Sequence, residues 1–124
     1  MPKPIPVLTS YKDIENEEDM LRFRFRAYRQ AAGWSVKAVD AKIGVKGFTS
    51  RFEKPGGLYR FDYIWRMIFE LGIDEGFLFR GKTGNVKSHI ARRVEAILKV
   101  GRTIQDDEVI AVLEAAGLDP IEAL

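Results

Sequence analysis

Apolar residues in this chain recur three and four positions apart in short runs, and glycine or proline closes most of them. That spacing puts apolar side chains on one face of an α-helix, whereas a half-buried strand needs them at every second position. Leu21, Phe25 and Tyr28 make the first stripe, Val39 and Ile43 the second, Phe48 and Phe52 the third, and Phe61, Ile64, Trp65, Ile68 and Phe69 the fourth. No alternating stretch of useful length competes with them, so the sequence predicts an all-α fold. Five helices are expected to form a first domain, followed by a C-terminal two-helix extension.

Local signals place the boundaries. Pro2, Pro4 and Pro6 remove backbone donors and favour an extended N-terminal arm over residues 1–15. Asn16 is placed to cap the first helix, whose opening acids Glu17, Glu18 and Asp19 complement the helix dipole. Arg22, Arg26 and Arg29 are expected to face outward from it, and Gly33 to end it. Ser35 caps a second helix over 36–43 that stops at Gly44; a third is predicted over 46–54 and a fourth over 61–71. Asp74 caps a fifth containing Phe77, Leu78 and Phe79, and Gly81 and Gly84 mark a connector. Beyond it, Val86, Ile90, Val94 and Ile97 form an apolar face over 86–100. Val109, Ile110, Val112 and Leu113 form another over 105–116, opened by Thr103 and the acids that follow. The expected organisation is an arm over 1–15, a domain over 16–81 and a helical extension over 82–124.

The 124 residues hold 20 Lys and Arg against 18 Asp and Glu, and the resulting net charge of +2 conceals blocks of opposite sign. Residues 1–19 carry −3, 20–66 carry +8, 67–81 carry −2, 82–102 carry +5 and 103–124 carry −6. A polyanion is the expected partner of the central block. The absence of cysteine excludes disulfides, thiolate catalysis and Cys-built zinc sites. The single histidine, His89, is expected near the surface rather than as a ligand. No run approaches about 18 apolar residues, and the N-terminus lacks a basic stretch followed by an apolar one. The sequence therefore predicts a cytoplasmic protein with no membrane span and no cofactor. It shows no nucleophile-base pair and no phosphate loop, so no enzymatic activity is expected.

Two short helices joined by a glycine-containing turn and followed by a longer apolar helix can place a recognition helix in the DNA major groove. Four segments occur in order: YRQAAGWS (28–35), AKIGV (41–45), TSRFEKPGG (49–57) and IFELGIDEGFLFRG (68–81). Together they resemble the Cro/XRE type of phage-repressor helix-turn-helix domain over roughly residues 20–81. The resemblance implies a bacterial or phage-encoded, nucleoid-associated transcriptional regulator that binds double-stranded DNA through a recognition helix at about 46–54. It implies that Lys46, Gly47, Ser50 and Arg51 face the groove while Val45, Thr49 and Phe52 pack the helix down. Arg51 is the first choice for sequence reading, since a guanidinium can donate two hydrogen bonds to guanine O6 and N7. Phosphate contacts are expected from Ser35 and the amides beginning the second helix, with Arg29, Lys37, Lys54, Tyr59 and Arg60 adding further ones. Arg29 and Glu53 match positions that in this family often form an ion pair linking the first helix to the third.

The chain departs from that pattern at several points. Asp40 stands where the family has Ala or Gly at the contact between the two helices, and an unpaired carboxylate is costly to bury there. The step from Val45 to Phe52 is a residue shorter than usual, Gly47 weakens the start of the recognition helix, and Pro55 follows it directly. These departures motivate an alternative, a protein-interaction adaptor on the same scaffold with weak or no DNA binding. The extension over 82–124 is expected to form a hairpin that pairs with a second copy, matching a palindromic operator. Alternatively the hairpin folds back and extends one core, or its acidic end contacts RNA polymerase or a second regulator. Phe61, Trp65, Phe69 and Phe77 are expected in the core, and Trp34 as a packing staple at the start of the second helix. Phe23 lies off the first stripe, where an exposed ring would meet a partner or the C-terminal helices.

Overall fold

The predicted stripes become helices in a computed structural model that describes residues 17–54, 56, 57 and 60–119. The arm over 1–15, Asn16 and Tyr59 lie outside the described residues. The described chain contains α1 (Glu17–Ala32), α2 (Val36–Ile43), α3 (Phe48–Phe52), α4 (Phe61–Leu71), α5 (Glu75–Arg80), α6 (Ser88–Lys99) and α7 (Val109–Ala115). A 3-10 turn over Asp106–Glu108 leads into α7. No strand occurs among the described residues. No helix there is long and apolar enough to cross a membrane.

Side-chain caps account for several boundaries. The Ser35 hydroxyl accepts from the Ala38 amide at 3.0 Å and the Asp74 carboxylate accepts from the Phe77 amide at 3.0 Å, each satisfying a donor the helix leaves open. The last helix opens differently from expectation. Gln105 and Glu108, rather than Thr103, form a reciprocal capping box around the 3-10 turn.

Helix α1 runs through the middle of the molecule, packed by α5 and α6. Leu21, Phe25 and Tyr28 are buried as their spacing requires, but so is Phe23. Arg22 and Arg29, expected to face outward, are only 2% and 1% exposed. A stripe argument assumes one buried face, and α1 has neighbours on more than one side.

Val94, Ile97, Ile104, Val109 and Leu113 belong to the same buried cluster as Leu21, Phe25, Phe48 and Phe77. Residues beyond Gly81 thus fold back and extend one core. The apolar faces expected to pair with a second copy are used within the chain, and of α7 only Ile110 remains as a large exposed apolar side chain.

Helix α4 corrects a second expectation. Ile64 and Met67 are buried, yet Phe61, Trp65 and Phe69 are exposed. Apolar residues cover more of its circumference than the contact with α2 can bury, so the helical spacing holds while the aromatic row faces outward.

Candidate nucleic-acid interface

Helices α2 and α3 are joined by a turn with two left-handed glycines. Gly44 (φ 83°) closes α2, and Gly47 (φ 75°) is the N-cap residue of α3. A left-handed residue cannot continue a right-handed helix, so Lys46 and Gly47 lie in the turn and not inside the third helix. At the other end Pro55 disfavours helical backbone at Lys54. Helix α3 is therefore five residues, Phe48–Phe52, instead of the predicted 46–54. Phe48, Thr49 and Phe52 are buried beneath it; Ser50 and Arg51 face outward.

Asp40 holds this turn together. Its carboxylate accepts from the Gly47 amide at 3.1 Å, the Thr49 amide at 2.7 Å and the Thr49 hydroxyl at 2.6 Å. Gly47 has no side chain with which to cap α3, and a carboxylate from the preceding helix supplies that cap instead. The departure from a small residue is thereby compensated, because the carboxylate receives three donors in place of water. Asp40→Ala is expected to cost about 1–2 kcal/mol, the usual range for losing a cap, as measured by urea unfolding.

The far end of α3 is tied to α1 and to the C-terminal segment. Arg29 donates to Glu53 Oε2 from Nε at 2.7 Å and to Glu53 Oε1 from Nη2 at 3.1 Å. Its remaining donors reach Asp106 at 2.8 and 2.9 Å and the Trp34 carbonyl at 3.0 Å. Every N–H of the guanidinium is thus used. The ion pair between the first and third helices is present, whereas the expected phosphate contact of Arg29 is not open to solvent. Arg26 adds a bond to Glu53 at 3.1 Å and two to the Ile104 carbonyl, and the Gln30 amide reaches Ile104 O and Asp106. Arg22 secures the loop after α3 through the Gly57 carbonyl at 2.7 Å. Asp106, Arg26 and Gln30 were missing from the sequence-based site. Asp106 meets Arg29 from 77 positions away, and no local spacing reports such a pair.

Burial raises the Asp106 carboxyl pKa, but hydrogen bonds from Arg29 and Gln30, with the charges of Arg29 and Arg26, outweigh it and leave it below its ordinary value. A depressed folded pKa contributes stability that is complete above the unfolded value and lost as pH falls through the folded one. The docking of residues 104–106 on α1 should therefore hold at neutral pH and weaken below about pH 4, the ordinary carboxyl range. Asp106→Asn should flatten that acid limb in a pH series of thermal melts. An unchanged limb would show that this carboxylate is not what the acid protonates.

The central positive block divides by residue type. Arg22, Arg24, Arg26, Arg29 and Arg66 donate to carboxylates or backbone carbonyls of other elements. Lys37, Lys46 and Lys54 are exposed and have no ion pair among the described residues. Lys37 and Lys46 border one depression with Gly44 and Val45, about 400 Å³ in volume. Ser50 and Lys54 border a cleft of about 620 Å³ whose opposite wall includes Gln105, Asp106 and Asp107. Arg51 lies along its own helix, donating to the Gly47 carbonyl at 3.2 Å and the Lys46 carbonyl at 3.5 Å. Ser35 is exposed at the start of α2, beside Asp106 and Val109. Arg60 pairs with Asp62 at 3.1 and 3.2 Å on the surface.

No protein-family model, curated protein or solved structure matches this chain, so its function is read from the geometry of its own residues.

Proposed function

We propose that the α2–α3 surface binds double-stranded DNA and that the protein is a sequence-specific transcriptional regulator of repressor-like helix-turn-helix type. One observation carries this reading: over residues 35–54 the cations face out and the acids face in. Lys37, Lys46, Arg51 and Lys54 are exposed, while Asp40 caps α3 and the Glu53 side chain is 4% exposed against Arg29. Such a surface attracts phosphate without an internal carboxylate to compete for it. The lysines and Ser35 meet the backbone, and Ser50 and Arg51 approach the base edges. The two carbonyls that Arg51 now contacts are neutral and at long range, so exchanging them for guanine O6 and N7 costs little. Gly47 lets the turn come close to the duplex.

A second reading, a protein-interaction adaptor with weak or no DNA binding, draws support from Asp106 and Asp107. Their side chains line the cleft that Ser50 and Lys54 border, where they would repel a phosphate backbone. Selection from a random pool of duplexes separates the two. A regulator enriches a defined motif, and an adaptor enriches none.

On the selected site, Arg51→Ala is expected to cost about 1–3 kcal/mol and to relax preference at one base pair. Lys54→Ala should weaken binding to all sequences alike. Equal losses on every sequence for Arg51→Ala would remove it from base reading.

A further inference from the structure

Phe61, Trp65 and Phe69 form a continuous aromatic ridge on the outer face of α4. They are 62%, 43% and 73% exposed. The Trp65 ring meets Phe61 edge-on at 5.8 Å and stacks on Phe69 at 5.1 Å between centroids. At about 200 Å² per ring, the ridge presents on the order of 300–400 Å² of apolar surface, the size of patch that commonly marks an interaction site. The fold does not use it, because α4 is anchored by Ile64 and Met67 on its other side.

The ridge is its own complement. Phe61 and Phe69 stand four residues to either side of Trp65, and Arg60 and Glu70 stand five to either side. When α4 is laid antiparallel on a second copy with Trp65 at the two-fold axis, Phe61 falls on Phe69 of the second copy and Arg60 falls beside its Glu70. Each contact then occurs twice, as an isologous interface requires. Glu70 has no ion pair among the described residues, and Arg60 is held only by the exposed Asp62, a pair that exchanges at little cost.

From this register we infer that α4 is a homodimer interface, with aromatic contacts at its centre and reciprocal Arg60–Glu70 pairs at its ends. Two ridges bury roughly 700 Å², and flanking side chains bring the total towards the lower limit of about 1,200 Å² for specific interfaces, so the dimer should be weak. The inference stands apart from the DNA reading and is tested without DNA.

Sedimentation equilibrium of the full chain should show a mass rising with concentration from 14.1 kDa towards twice that value. Trp65→Glu should leave a monomer at every concentration. Glu70→Arg and Arg60→Glu should each weaken the dimer about tenfold, and the double variant should recover most of that loss, since reversing both charges restores the pair. A full chain that stays monomeric up to about 200 μM, where even a weak dimer would form, overturns the proposal. So does a dimer indifferent to Trp65→Glu and to both charge reversals. If Trp65→Glu loses its helical circular dichroism, the charge-reversal pair decides, because both of its positions are exposed.

Discussion

A chain ended at Gly81 is expected to lose cooperative folding. Val94, Ile97, Ile104, Val109 and Leu113 share one buried cluster with the apolar face of α1. Burying a side chain of this kind contributes about 1.5–3 kcal/mol, so the five together contribute roughly 8–15 kcal/mol as an upper bound. An ordinary domain is stable by only about 5–15 kcal/mol in total. The truncation also removes Ile104 O from Arg26 and Gln30, and Asp106 from Arg29, stranding donors on α1. A far-UV circular dichroism melt should be sigmoidal for the full chain and featureless for residues 1–81. A truncated chain that melts cooperatively near the full-length midpoint would restore a self-sufficient domain over 16–81.

Glu53→Ala is expected to destabilise the fold by about 3–5 kcal/mol, the range for breaking a buried ion pair from one side. The Glu53 side chain is 4% exposed and that of Arg29 2%. Its removal leaves Arg29 Nε and the Arg26 Nη1 contact without their acceptor, in a place water cannot reach. Burial lowers the Arg29 pKa, but hydrogen bonds to Asp106 and Glu53 outweigh it and raise the value, so the guanidinium cannot escape the cost by losing its proton. Replacing both partners, Arg29→Met with Glu53→Leu, should return much of the loss, since an apolar pair avoids desolvating two charges. Urea unfolding of the four chains forms a double-mutant cycle. A loss below about 1 kcal/mol for Glu53→Ala would mean that the pair behaves like an exposed one.

What the sequence disclosed follows the range of the interactions involved. The Ser35 cap, the Asp74 cap, the Gly44 stop and the extents of α2 and α4 depend on residues a few positions apart, and all were legible. Asp40 was read as a liability because its partner Thr49 lies in the next helix. Arg22 and Arg29 were placed outside because periodicity cannot tell a central helix from a peripheral one. Periodicity likewise marked α4 as helical without saying which of its two adjoining apolar rows meets the core. On the candidate interface, the exposure of Lys37, Lys46, Ser50, Arg51 and Lys54 matched the reading. Arg29 did not, because the acid that saturates it comes from the last turn of the described chain.

Binding of DNA through the unpaired lysines of the α2–α3 surface is tested most directly by fluorescence anisotropy of a selected duplex between about 50 and 300 mM salt, where counterion release is readily resolved. The wild-type logarithm of affinity should fall linearly with the logarithm of salt concentration, by about 0.9 for each phosphate contacted. The variant carrying Lys37→Gln, Lys46→Gln and Lys54→Gln should show a slope shallower by roughly 2.7, for three lost contacts. Absence of binding at about 50 mM salt, or identical slopes for the two chains, would contradict DNA binding at this surface.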